Sequence, residues 1–295
     1  MTRLNRRSLL AATAASLPLL GAGQATAAPS AGSAPAGQMP GPAGPAGPHG
    51  LPRVPRGGQG KDKTTRVLRR WAQDTWRSID AMAEESTGLV ADNIDDELTT
   101  PARYTSPTNI GGYLWSTLIA RELGLLTAGH ARRRISRTLD SLEHMERHDP
   151  SGMYVNWYDP HDGSIVREWP EDGVPVTPFV SSVDMGWLGA ALHVVAQADP
   201  SNRRRARALY EAMRWDIFFD PGFGDGPGAT IGGFWLEDPG REDAELLPPL
   251  AGVEGEDLWY HVGHHYDTAI SEARMVTYLG MIRGQIPAAA YFATY

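Results

Sequence analysis

Cysteine is absent from the 295 residues, which excludes disulfide staples, thiolate nucleophiles and Cys-based metal sites. Stability must then come from the core alone, and a 41% hydrophobic content supplies material for one. Lysine is nearly absent too, with Lys61 and Lys63 alone among the arginines. The net charge is −8, and Arg132–Arg134 and Arg203–Arg205 are the only basic tracts of note in the folded part. Neither nucleic acid nor an anionic membrane is therefore expected as a partner. No apolar run approaches the ~18 residues of a spanning helix. A Walker A loop, a Rossmann glycine fingerprint and a G-x-S-x-G elbow are all missing. Gly222, Gly224, Gly226 and Gly228 alternate without a preceding strand and following helix, and read as a loop.

The N-terminus reads as an address. Arg6 and Arg7 precede Ser8-Leu9-Leu10, a mildly apolar run continues to Leu20, and Ala25-Thr26-Ala27 offers a small-residue cleavage site. Paired arginine there points to the twin-arginine translocase as export partner and to an extracellular, secreted product. Residues 28–62 are rich in Pro, Gly and Ala and cannot bury enough surface to fold, so a disordered linker is expected. Residues 63–295 form the expected folded domain.

Helical periodicity begins near Thr64, and six helices are expected. The first covers about 64–85, with Val67, Trp71 and Ile79 apolar and Gly88 past its end. The second opens at Ser106-Pro107, where Pro suits the first turn, and runs to Gly124. Thr127 caps the third, whose stripe is Ile135, Leu139, Leu142 and Met145. An irregular stretch, 149–178, holds the strand-like run MYVNWY and a DPHDG turn. The fourth helix starts at Ser181-Ser182, the fifth spans about 201–215 and the sixth about 262–284. Helices paired through long aromatic-rich loops suggest an all-α toroid whose loops line a cleft, while the uneven loop lengths argue against a regular solenoid.

Within Tyr266–Gly284, spacing at 100° per residue places Glu272 in a stripe with Ala269, Ala273, Val276, Leu279 and Gly280, on the side expected to be buried. A carboxylate there must be paired, protonated or facing a wet cavity. Asp184 shares a stripe with Leu188, Ala191 and Val195 in the first turn of the fourth helix, where it either complements the helix dipole or faces a cleft. Two carboxylates facing one cleft are what glycoside hydrolysis requires, about 6.5–9.5 Å apart for inversion. Asn156, Trp157, Tyr158 and Asp159 combine flat rings with hydrogen-bonding groups, as a sugar-binding wall does; an ordinary satisfied turn is the alternative. Trp187, Trp235 and Trp259 are either further subsites or core. His261, His264, His265 and Asp267 cluster in HVGHHYD, but their spacing lacks HEXXH logic and no metal site is expected. The acidic run Asp92, Asp95, Asp96, Glu97 lacks the glycine and spacing of an EF-hand loop and reads as solvated.

Four segments in order, SPTNIGGYLWSTLIARELGLL (106–126), GMYVNWYDP (152–160), FVSSVDMGWLGAAL (179–192) and YDTAISEARMVTYLGMIRGQIP (266–287), resemble the glucoamylase-like family. That family includes a region of the cyclic β-1,2-glucan synthases and, more distantly, secreted endo-β-1,2-glucanases; TGLVADN (87–93) is also typical of it. The resemblance implies an (α/α)6 toroid, of which this chain supplies about the first six helices, acting on a β-glucan by inversion without a cofactor. It carries over Glu272 and Asp184 as the catalytic acids. The endo-glucanase branch places two further acids where this chain has Trp187 and Ala190, so the match is closer to the synthase-associated branch. Half a ring also leads to the expectation of a chain truncated at its C-terminus.

The reading is thus a secreted glycoside-hydrolase-type protein with a polysaccharide or oligosaccharide partner. Glu272 and Asp184 are the candidate acid/base pair, and Asn156, Trp157, Tyr158, Asp159, Tyr266, Asp267 and His264 the candidate contacts. A non-catalytic glycan-binding protein of the same fold, or a polysaccharide lyase using Tyr266, His264 and Asn156, are the alternatives.

Overall fold

The computed structural model describes residues 63–293; the expected signal segment (1–27) and linker (28–62) lie outside the described residues. The helices are α1 (Lys63–Met82), α2 (Pro107–Glu122), α3 (Ala128–His144), α4 (Ser182–Ala198), α5 (Arg203–Glu211), α6 (Ala273–Ile282) and α7 (Ala288–Phe292). None among the described residues is long and apolar enough to cross a membrane.

The domain is not all-α. Seven short strands appear: β1 (Phe179–Ser181), β2 (Phe219–Asp220), β3 (Ala229–Ile231), β4 (Gly233–Trp235), β5 (Ala244–Leu247), β6 (Leu258–His261) and β7 (His265–Tyr266). They form two antiparallel sheets, ordered β1-β4-β6-β5 and β2-β3-β7. The expected sixth helix at 262–284 is corrected accordingly, since its first part is β7 and an irregular stretch and the helix begins only at Ala273. Aromatic and β-branched residues fit a pleated, half-buried surface better than a helix. The MYVNWY run, in turn, forms only isolated bridges, His148 to Met153 and Tyr158 to both Thr105 and Ile165.

The helix starts at α2, α3 and α4 follow from their caps. Ser106 Oγ accepts the Asn109 N–H while Asn109 Oδ1 accepts the Ser106 N–H, with Pro107 in the first turn. Thr127 caps α3 and Ser181 caps α4. The first helix departs from expectation at Val67 and Trp71, which are exposed rather than buried.

Three helices run side by side in one direction. Gly111 of α2 lies against the Trp187 carbonyl of α4, and farther along both helices Arg121 Nη1 donates to the Ala198 carbonyl at 3.2 Å. Gly186 of α4 faces Val276 of α6, and Gly189 faces Leu279. Matched order in both pairs makes α2, α4 and α6 parallel, with their N-termini at one end. The short α5 returns the other way along α4: Arg203 Nε at its start bonds the Ala196 carbonyl at 3.0 Å, and the rings of His193 and Tyr210 meet edge to face at 5.3 Å. The core lies between these layers, around Leu114, Leu139, Leu188, Trp215 and Val276.

Candidate functional site

The N-terminal end of α4 is stitched to the strands. The Gly232 carbonyl, between β3 and β4, accepts both the backbone N–H and the hydroxyl of Ser182, at 3.1 and 3.2 Å. Gly232 N–H donates in turn to the His264 carbonyl at 2.9 Å. A Cβ at Gly232 would lie 2.8 Å from Cδ2 of His264, so a larger residue would have to displace that ring. Because β7 pairs with β3, Tyr266 opposite Thr230 and His265 opposite Ile231, this stitching brings Asp184, two residues beyond Ser182, toward Tyr266.

Glu272 reaches the same place from α6. It stands immediately before the helix and is exposed, so the expectation of a buried stripe position is corrected; Ala273, Val276, Leu279 and Gly280 do line the buried face. Its side chain does not cap its own helix; Ser271 Oγ accepts the Ala273 N–H instead, at 3.2 Å. Glu272 Oε2 accepts the indole N–H of Trp187 at 2.9 Å. The partner is thus an indole on α4, not a guanidinium. Trp187 lies one turn beyond Asp184, and its ring meets Trp115 of α2 edge on at 5.7 Å.

Tyr266 connects the two acids. Its phenol is half-buried, and burial, followed by the negative charges of Glu272 and of Asp184, pushes its pKa above the usual 10. Both carboxylates are therefore close enough to act electrostatically on one phenol. Asp184, half-buried, has its backbone N–H on Ser181 Oγ; its carboxylate accepts no hydrogen bond among the described residues. Tyr266 and Asp267 also line a cavity of about 350 Å³ against the loop Phe223–Gly228, Thr277 and Ala290. The ring of His264 meets Tyr266 edge on at 4.6 Å and stacks on His261 at 5.5 Å. No helix face joins His264 to Asp267, because β7 lies between them in place of the expected helix.

The aromatic run divides between outside and inside. Trp157 is half-buried and packs edge on against Tyr104 and Trp169, at 5.4 and 5.2 Å, a three-ring wall of which sequence reasoning found one member. Asn156 N–H bonds the Phe179 carbonyl of β1 at 2.6 Å, while its side-chain Oδ1 is buried without a hydrogen-bond partner. Tyr158 is corrected as a contact residue. It is 0% exposed, its hydroxyl donates to the Glu146 carbonyl at 2.7 Å and accepts the Val155 N–H at 3.0 Å, and burial pushes its pKa up. Asp159 is engaged in its own turn, accepting the His161 N–H at 2.9 Å and facing Arg103 at 3.3 Å.

Sequence reasoning missed the Trp187–Glu272 bond, although Trp187 follows Asp184 at i+3 on one helix face. It also missed the pairing of His261, at the end of β6, with Asp243, in the turn just before β5, at 3.1 Å. Burial lowers the His261 pKa, more than Asp243 raises it. No cluster of three or more potential ligands among the described residues is arranged to hold a metal.

A family described as a protein of unknown function, DUF3131, matches residues 70–218, half of the chain. The chain belongs to the DUF3131 family. This DUF3131 chain is also 33% identical over 141 residues to the cyclic β-(1,2)-glucan synthase NdvB of Rhizobium meliloti (strain 1021), a match covering 46% of the chain and 4% of NdvB. Among solved structures, the β-1,2-glucanase of Parabacteroides distasonis is similar with a TM-score of 0.57 at 16% identity, over 79% of this chain and 30% of that one. The endo-β-1,2-glucanase of Talaromyces funiculosus, solved with sophorose, is similar with a TM-score of 0.52 at 13% identity, over 78% of this chain and 50% of that one. The chain thus spans half or less of the length of each of these proteins. The resemblance to the glucoamylase-like family stands in these comparisons, and the fold of this DUF3131 chain is shared with β-1,2-glucanases.

Proposed function

We propose that the chain is a secreted, glycoside-hydrolase-type protein acting on a β-glucan, β-1,2-linked by its resemblances. In this reading residues 1–27 are a twin-arginine export signal, 28–62 a tether, and α2 to α6 part of an (α/α)6 ring around the cleft. The observation that carries the reading is the bond from Glu272 to the indole of Trp187, one turn beyond Asp184 on α4, together with the action of both negative charges on the half-buried phenol of Tyr266. One acid protonates the leaving glycosidic oxygen. The other removes a proton from the water that attacks the anomeric carbon, and no cofactor is needed. Trp157, with Tyr104 and Trp169, offers apolar faces for pyranose rings, and Asn156 Oδ1, Tyr266, Asp267 and His264 offer hydrogen-bonding groups.

The test is incubation of the protein with β-1,2-, β-1,3- and β-1,4-glucans, followed by a reducing-end assay. Glu272→Gln and Asp184→Asn are each expected to lower the rate by at least about 100-fold. Absence of turnover on every glucan, or full activity in Glu272→Gln, overturns the catalytic reading. Glycan affinity without turnover would instead identify a binding protein of this fold.

A further inference from the structure

Glu272 has helical dihedrals, φ −64° and ψ −23°, and the cap of this helix start comes from the residue before it. Ser, Thr, Asp and Asn are preferred just before a helix because their short side chains reach back to the exposed N–H groups. Glu272 caps nothing, and Ser271 satisfies Ala273 in its place. Its carboxylate is thus not committed to the backbone of its own helix. The segment ahead of it is also open: Ile270, two residues before, is 98% exposed. An unrestrained Glu side chain at such a junction would sample several rotamers in water.

We propose that Trp187 is a positioning residue for Glu272. Its indole N–H holds Oε2 at 2.9 Å and leaves Oε1 free of that bond. The indole is itself held on both sides. Trp115 of α2 packs its ring edge on, and the close contact of Gly111 with the Trp187 carbonyl fixes the backbone of this turn. The Trp115 indole N–H is buried with no hydrogen-bond partner, so Trp115 contributes shape rather than a polar bond. The chain of contacts Trp115, Trp187, Glu272 passes through all three parallel helices and sets the orientation of one carboxylate relative to Asp184 on the next turn of α4. An indole N–H donates and cannot accept, so this arrangement specifies an acceptor oxygen and excludes a second acid at position 187.

This inference rests on the glycoside-hydrolase reading for its catalytic meaning, and its test separates the two. Trp187→Phe keeps a ring against Trp115 but removes the donor. The Trp187 indole N–H signal, assigned in ¹H–¹⁵N spectra by its loss in Trp187→Phe, is expected to shift markedly in Glu272→Ala while the other indole signals stay in place. An indole signal indifferent to Glu272→Ala overturns the proposal whether or not any glucan is cleaved. Where glucan is cleaved, Trp187→Phe is expected to lower kcat about tenfold, the scale of one lost hydrogen bond to a charged group, with KM within about twofold. An unchanged kcat in Trp187→Phe overturns it, as does a loss confined to thermal stability.

Discussion

Adjacent glycines in α2 give opposite predictions, and the contrast tests the helix packing on which the site depends. A Cβ on Gly111 would lie 2.8 Å from the Trp187 carbonyl oxygen, 2.9 Å from its carbon and 3.0 Å from Leu188 N. All three are backbone atoms of α4, so no side chain can swing aside. Restoring ordinary contact requires α2 and α4 to separate by about 0.6 Å, and overpacking of this kind costs about 2–3 kcal/mol. Ala gains about 1 kcal/mol over Gly in helix propensity, so Gly111→Ala should destabilise by about 1–2 kcal/mol. A Cβ on Gly112 meets nothing within 4 Å, and Gly112→Ala should therefore stabilise by up to about 1 kcal/mol. At about 2–4 °C per kcal/mol for a domain of this size, thermal unfolding followed by circular dichroism should show Tm falling by about 2–8 °C in Gly111→Ala and rising by up to about 4 °C in Gly112→Ala. Equal or greater stability in Gly111→Ala than in Gly112→Ala would refute the close parallel contact of α2 with α4, and with it the geometry that carries Trp187 to Glu272.

Thr138 is fully buried and its hydroxyl bonds the Gly88 carbonyl at 2.7 Å, tying α3 to the loop after α1; Thr138→Val should cost about 1–2 kcal/mol in urea unfolding by leaving that carbonyl unpaired. His148 is packed edge on against Phe234 at 5.3 Å, and burial lowers its pKa below the usual 6.5. Between the two values the unfolded chain binds the proton and the native one does not, so stability is full above about pH 6.5 and is lost as pH falls toward the folded pKa. Tm measured from pH 7.5 to 5 should therefore decline, and His148→Gln should flatten the decline; an equal slope in both proteins would refute the role given to His148.

What could be read from the sequence follows from which physical signals are local. The starts of α2 and α4 were legible because Ser106-Pro107 and Ser181-Ser182 write their caps into adjacent residues. Asp184 was placed correctly at the first turn of α4 for the same reason. The segment before α6 was not legible, because hydrophobic spacing at 100° per residue continues smoothly from Ala269 to Gly280 although the helix starts at Ala273. The pairing of His265-Tyr266 with β3 that ends the pattern is a long-range event. Glu272 was therefore singled out for the wrong reason: it is not buried in a stripe but reaches from an exposed helix start to an indole on α4. Trp157 and Tyr158 make the same point at closer range. Successive side chains in extended backbone point to opposite sides, and nothing in NWYDP says which ring faces out.

The location of the site follows from the parallel helices rather than from any one residue. Parallel packing of α2, α4 and α6 gathers three N-termini at one end, where peptide N–H groups and the positive ends of the helix dipoles favour negative charge. Two of those helix starts carry the candidate acids, Asp184 in the first turn of α4 and Glu272 immediately before α6. The third, α2, satisfies its own end through the Ser106–Asn109 pair and supplies no acid, only the Trp115 ring farther along. Antiparallel neighbours would set one helix start beside the other helix's end, where the dipole disfavours a carboxylate. The strands serve this arrangement: Gly232 ties α4 to β7, so that Tyr266 lies where the fields of both acids reach it. Exchange of Gly232 for Ala would place a methyl group 2.8 Å from Cδ2 of the His264 ring and should displace that ring and Tyr266 beside it, seen as shifts of their ring signals in NMR spectra; unshifted Tyr266 signals would refute the coupling of α4 to Tyr266 through Gly232.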